Sequence, residues 1–526
     1  MSLTSQLKSI HPSDNNPVTS ESPSKQKSNA KSPKLILAVI AFGVFVAADD
    51  LTVVSTMLRQ IVFDLGLSLP DDLDQAAWIV NAYLIAYVVV MPFIGRLSDI
   101  LGRRLLYTAA MFLFLVGSVW VPFAGSFNSF LFGRVLTALG GGAMVPIGMA
   151  IIADVYPAEQ RAKSLGLLGA IDTAGWVWGP LYGALLIRFL TWQWQFYLNI
   201  PLALIGLAAG WIVLADLPEV ENREKIDWVG TGLLTLCLLT LNIALLGSGD
   251  VSAAGSFTSL NTEPVWSPMP FYITAAVSFI LFVLSQKYLK QEAPPLIDLG
   301  LFLKRNFTPA ILINFFVGAI LIITMVNVPL IVNVLEIDVG QAALFSGYLL
   351  SGMTAAMALT AWLGGLGTER FSYRPVTALG LVLAFIGLGL MGFTWDANTS
   401  FWLMAWQLVI LGAGFGLIIA PIGTAVINAA PENQRGIASS LVIVMRLIGM
   451  SVGLSALTSW GLYRFNTLRR LIELPDITDA NYTATLIQRL TETTIGVLTE
   501  TFVISAGVAL LALLFALWLK RDAPTL

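Results

Sequence analysis

The sequence predicts an all-α integral membrane protein of fourteen spans, arranged as two six-helix repeats with two further helices inserted between them. Three observations predict it: an apolar composition, the number of apolar runs, and an internal repeat. Of 526 residues, 56% are hydrophobic and 12% charged, more apolar surface than a water-soluble fold hides. A bilayer is the expected solvent.

Crossing about 30 Å of hydrocarbon takes about 20 apolar residues. Such runs fall near 35–58, 75–95, 104–124, 128–152, 164–187, 196–215, 227–247 and 270–289. After a polar stretch, six more fall near 307–333, 341–363, 376–394, 400–424, 435–463 and 498–519. Residues 1–32 are rich in Ser, Pro, Asn and Lys and lack the apolar core of a signal peptide, so they read as a disordered cytoplasmic tail. The Ser-, Thr- and Gly-rich stretch near 248–267 reads as a flexible loop. With both termini inside, only Arg59, Arg188, Arg464, Arg469, Arg470 and Arg489 fall outside and Arg134 and Arg446 within spans; the rest of the 29 Lys and Arg lie inside. That bias orients the chain in a cell (inner) membrane with cytoplasmic ends.

The segment from Pro146-Ile147-Gly148 to Pro157-Ala158-Glu159-Gln160-Arg161 reappears as Pro421-Ile422-Gly423 to Pro431-Glu432-Asn433-Gln434-Arg435, displaced by 274 to 275 residues. The expected units are therefore a six-helix bundle at 33–216, two inserted helices with linkers at 217–305, and a second bundle at 306–526. Two parallel six-helix halves are a transporter layout, with the substrate between them and access alternating as they rock. The inserted pair, without charge from Gly230 to Gly249 and before Lys287, is expected to face lipid.

Between the second and third spans lies Gly95-Arg96-Leu97-Ser98-Asp99-Ile100-Leu101-Gly102-Arg103-Arg104. Its glycines permit a tight turn, and Asp99 suits pairing with arginine or a helix end. It resembles the GxLxDxxGRR loop of the major facilitator superfamily. The second-half counterpart runs from Gly364 to Arg374 and has Thr368 where the aspartate would be, so only the first copy is expected to be a full conformational latch, built on Gly95, Asp99, Gly102, Arg103 and Arg104. In the fifth span, Gly175-Trp176-Val177-Trp178-Gly179-Pro180-Leu181-Tyr182-Gly183 resembles the family's antiporter motif. Its small residues recur every four positions, and Pro180 is expected to bend the helix; a plain packing face would explain the glycines as well. Asp50-Leu51-Thr52 in span one, Trp78 to Tyr83 opening span two and Trp192 to Pro201 leading into span six resemble the fourteen-helix drug:proton antiporter branch. Within it, Asp50, Asp172 and a long hydrophilic stretch between the last two spans are most similar to mycobacterial exporters of triacylglycerol-type lipids.

Ionisable groups inside spans are costly and point to function. Asp50 and Asp172 are the expected proton-coupling residues, with Arg134 and Arg446 as charge partners; fixed structural ion pairs are the alternative. Asp172 and Arg446 lie 274 residues apart, at equivalent places in the two repeats with opposite charge. Asp49 is rotated about 100° from Asp50 along the helix and is the lesser candidate. Burial raises a carboxylate's pKa and a nearby arginine lowers it, so a change of surroundings couples proton binding to conformation. The one histidine, His11, is in the tail, which leaves a relay to carboxylates.

From Asn433 to Phe465 the helical pattern runs longer than a bilayer requires, turns near Leu474 to Asn481, and resumes at Leu486. An outward helical hairpin at about 464–497 is expected, to shield an acyl chain, to dock an extracytoplasmic lipoprotein, or merely to stabilise the protein.

A net charge of −3 gives no basic excess for nucleic acid. One cysteine, Cys237, permits no internal disulfide and no Cys-based metal site. No GxxxxGK[ST] loop and no nucleophile–base cluster occur, so neither an ATP motor nor an enzyme is expected, and the proton gradient stands in place of a cofactor. The resulting expectation is a proton-coupled exporter of hydrophobic or amphiphilic compounds, lipids before drugs. An importer of a polar nutrient and a non-transporting scaffold are the alternatives.

Overall fold

The computed structural model describes residues 32–66, 73–217, 225–246, 267–288, 295–336, 339–470 and 482–520. The tail, the loop near 248–267 and the turn near Leu474 to Asn481 lie outside them or nearly so. The described residues fold into fourteen α-helices: α1 Pro33–Asp64, α2 Leu73–Leu101, α3 Arg103–Trp120, α4 Phe127–Val155, α5 Ala158–Phe189, α6 Gln193–Val213, α7 Trp228–Leu246, α8 Met269–Tyr288, α9 Phe307–Leu335, α10 Val339–Phe371, α11 Tyr373–Thr394, α12 Phe401–Ala429, α13 Arg435–Arg469 and α14 Tyr482–Trp518.

Local chemistry sets some of their ends. Pro33 opens α1 at a position where its missing N–H costs nothing. The Ser126 hydroxyl accepts from the Ser129 N–H at the start of α4, and 274 residues later the Ser400 hydroxyl accepts from the Leu403 N–H at the start of α12. The same cap thus marks the same helix of both repeats.

Packing repeats as well. In the first half α1 lies along α5, α4 along α2 and α3, and α6 along α3 and α1; in the second, α9 lies along α13, α12 along α10 and α11, and α14 along α11 and α9. The halves meet along two seams related by the repeat, α2 against α13 and α5 against α10.

Twelve of these helices are long and apolar enough to cross a membrane, which makes the chain a multi-pass membrane protein. The other two, α1 and α5, hold Asp49, Asp50 and Asp172 and pack on one another. Exposed Phe112, Phe132, Ile205, Trp211, Leu359, Phe393 and Trp406 form part of an apolar outer surface suited to lipid.

The inserted helices divide the expectation made for them. α8 turns Ile273, Val277, Ile280 and Leu284 outward, as a lipid-facing helix does. α7 instead lies over the α2–α13 seam, touching both. Ser455 donates to the Leu245 carbonyl (3.1 Å), Ser451 meets Asn242 (3.3 Å), and Trp228 packs on Phe93. Asn242 and the Leu245 carbonyl are polar without being charged, so a charge count could not distinguish this face from one meant for lipid.

α13 and α14 run 35 and 37 residues, about 50 Å or more at 1.5 Å per residue and beyond what the hydrocarbon requires. Arg464 and Glu500 join them with three charge-assisted hydrogen bonds of 2.8 to 3.1 Å.

Candidate functional site

Three groups of ionisable residues lie where the helices meet. The first is inside the first half. The Arg134 guanidinium, 1% exposed, donates to Asp50 Oδ2 at 2.8 Å and lies 4.1 Å over the Tyr83 ring, with Phe196 farther off at 5.8 Å. Asn199 donates to Asp50 Oδ1 (3.1 Å), and Gln195 donates to Asp49 Oδ2 (3.0 Å) and to Asn199 Oδ1 (3.4 Å). Asp49 and Asp50 therefore join one buried network although they leave α1 in different directions. Gln195 and Asn199, one turn apart on α6, reach both. Sequence reasoning assigned neither residue a part; a polar pair at four-residue spacing in an otherwise apolar helix was the available signal.

The second group joins the halves. Asp172, in the middle of α5, faces Arg446 of α13 with Oδ2 and Nη2 3.7 Å apart, an ion pair too long for a hydrogen bond. Asp172 Oδ1 and Arg446 Nε are buried with no hydrogen-bond partner. Trp176, one turn along α5, stands 6.0 Å from the guanidinium. A cavity of about 40 Å³ opens here, lined by Asp172, Arg446 and Asn314 among apolar side chains such as Val145, Met149 and Leu168. It exceeds the space one water needs and is far too small for a lipid.

The third group closes the end of the bundle where α2 turns into α3, here called the basic end. Asp99 Oδ1 and Oδ2 accept from the Gly436 and Ile437 N–H groups at the start of α13 (2.8 and 3.1 Å), where the helix dipole favours an anion. Arg103 pairs with Asp99 (2.6 Å) and Asp154 (3.0 Å), and Asp154 also pairs with Arg435 (3.0 Å). Arg96 donates to the Asn433 carbonyl at 2.9 Å. Gly95 makes the approach possible: a Cβ there would stand 2.5 Å from the Gly436 carbonyl oxygen. Gly102, at φ 95°, turns the chain into α3. Arg104 takes no part across the seam; it donates to the Trp211 carbonyl (3.1 Å) and stacks on that indole within the first half.

In the glycine motif of α5, Gly175 lets α5 close on α1, where a Cβ would meet Ala48 at 2.7 Å. Gly179 and Gly183 are buried, and α5 continues as one helix past Pro180. Among the described residues no group of three His, Cys, Asp or Glu is placed to hold a metal ion.

Known proteins are similar to this chain in sequence and in fold. The model of the Major Facilitator Superfamily matches residues 40–454. A triacylglyceride transporter of Mycolicibacterium hassiacum is 33% identical over 444 residues, which cover 82% of this chain and 80% of that one. A triacylglyceride transporter of Mycobacterium tuberculosis is 33% identical over 451 residues, 83% of this chain and 84% of that one. Among solved structures, the proton:xylose symporter XylE aligns with TM-score 0.59 at 15% identity, covering 92% of this chain and 94% of its own. A human organic anion transporter aligns with the same score at 13% identity, over 92% of this chain and all of its own. On the family match, the fold and the paired six-helix halves, this chain belongs to the major facilitator superfamily.

Proposed function

We propose that the protein is a proton-coupled antiporter that exports hydrophobic or amphiphilic compounds by alternating access, with triacylglycerol-type lipids as the leading substrate class and drugs the second. The observation that carries this reading is the Asp172–Arg446 pair: Asp172 buried midway along α5 and Arg446 half-buried, split between the halves, loosely held at 3.7 Å and open to a cavity. Protonation of Asp172 removes its attraction for Arg446 and frees the halves to separate there; loss of the proton restores the pair. Asp50 and Arg134 form the second coupling pair in this scheme, tighter and held within one half. The basic end, taken as cytoplasmic from its arginines, is the closed side in this conformation. The lipid preference rests on the two named relatives and on the apolar lining of the cavity.

The test uses purified protein in liposomes carrying an internal pH dye. A fluorescent triacylglycerol analogue or a cationic dye drug is expected to evoke proton flux, lost at least about ten-fold in Asp172→Asn, the cost of about 1.4 kcal/mol or more in coupling. Full flux in Asp172→Asn and Asp50→Asn would remove both carboxylates from the proton path. Lipid-evoked flux without drug-evoked flux would fix the substrate class.

A further inference from the structure

The loop joining α10 to α11 repeats the turn between α2 and α3, one residue out of step with the alignment its Gly364 and Leu366 suggest. Each loop has one left-handed residue directly before the next helix: Gly102 (φ 95°) before α3 and Ser372 (φ 74°) before α11. Matching the loops on that residue pairs Asp99 with Glu369, Gly95 with Gly365 and Arg103 with Tyr373. The expectation that Thr368 replaces the carboxylate is therefore corrected. Thr368 only donates back to the Gly364 carbonyl (2.7 Å), and Glu369 stands in the aspartate's place.

The contacts repeat to match. Glu369 Oε1 accepts from the Lys163 N–H near the start of α5 (3.2 Å), as Asp99 Oδ2 accepts from Ile437, the residue 274 positions on from Lys163. A Cβ on Gly365 would stand 2.6 Å from the Ala162 carbonyl oxygen, as one on Gly95 would stand 2.5 Å from that of Gly436. Arg161 donates to Asn428 Oδ1 (2.8 Å) and Asn428 donates to the Tyr373 hydroxyl (2.8 Å). That chain copies Arg435–Asp154–Arg103, with an amide for the carboxylate and a phenol for the second guanidinium.

We infer that Glu369, Arg161, Asn428 and Tyr373 are positioning residues of a second latch, a copy with half the charged groups of the first that closes the α5–α10 seam, so that the two seams release unequally. The inference rests on the alternating-access reading. Hydrogen bonds between ionised partners are stronger than those in which one partner is neutral, and α7 lies over the charged seam.

Spin-label distances on the full chain in nanodiscs test this, in a Cys237→Ser background that removes the one native cysteine. Glu159 with Arg370 brackets the α5–α10 seam, and Leu101 with Asn433 the α2–α13 seam. Asn428→Asp restores the missing carboxylate and is expected to raise the closed-to-open ratio at the first pair about five-fold, with the second pair nearly unmoved and turnover slowed. Glu369→Ala is expected to lower that ratio, and Glu369→Gln, which keeps an acceptor oxygen, to stay near the parent. If both seams open in the parent and neither Asn428→Asp nor Glu369→Ala changes the first pair, the second latch is overturned while alternating access stands. One unmoving distance at both seams in the parent would overturn alternating access and the latch with it.

Discussion

Where α1 meets α6 in the first half, Asp50, Arg134, Asn199, Gln195 and Asp49 form a charged network. Where α9 meets α14 in the second, Asn327 donates to the Thr501 hydroxyl and the Leu498 carbonyl. The helix plan is the same and the burial similar: Asp50 and Asn327 are both fully enclosed. The basic end repeats the contrast, with Arg103–Asp154–Arg435 on one seam and Tyr373–Asn428–Arg161 on the other. A duplicated fold can thus keep its packing in both copies while charge, costly to bury, is concentrated in one. Arg446 is the second-half charge that reaches Asp172.

The largest effect that could break this comparison is in the first half. Arg134→Ala leaves the Asp50 carboxylate buried without its cation and is expected to cost about 3–5 kcal/mol. Thermal unfolding in detergent should show most of that returned by the double variant Asp50→Asn, Arg134→Met; failure of the double variant to recover would mean that packing, not charge, holds the site. Asn327→Leu removes the neutral contact between α9 and α14 and is expected to cost only about 1–2 kcal/mol while substrate-evoked proton flux persists. Flux lost in Asn327→Leu at an unchanged melting temperature would show coupling spread over both halves. The smallest effect separates the two latch loops: Ser372→Gly relieves a left-handed backbone and is expected to stabilise by about 1 kcal/mol, whereas Gly102→Ala introduces the same strain and destabilises by a similar amount. Matching shifts in melting temperature of opposite sign would support the register that pairs Gly102 with Ser372.

Much of the fold was legible in the residues. Long apolar runs mark helices in any environment, and the return of Pro146-Ile147-Gly148 as Pro421-Ile422-Gly423 required that the second half copy the first. Of the site residues, Asp50, Asp172, Arg134 and Arg446 were legible because charge inside an apolar run has few uses. Gln195, Asn199 and Asn314 were harder to see, since a neutral polar residue in a span is compatible with simple backbone bonding. The loop between α10 and α11 was misaligned because matching glycines and leucines carry no conformational information, whereas the left-handed turn at Ser372 does.

The sequence by itself determined the solvent, the helices and the two-fold plan, because hydrophobic content and repeat spacing are properties of the chain before it packs. Only the tertiary structure decided which charge meets which: that Asp49 and Asp50 share α6, that Arg104 stacks on the exposed Trp211, that Glu369 rather than Thr368 faces α5, and that α7 lies over the α2–α13 seam. The reason is physical. A buried charge is stabilised by the groups placed around it by neighbouring helices, and their rotation and register are set by packing at seams between residues far apart in the chain.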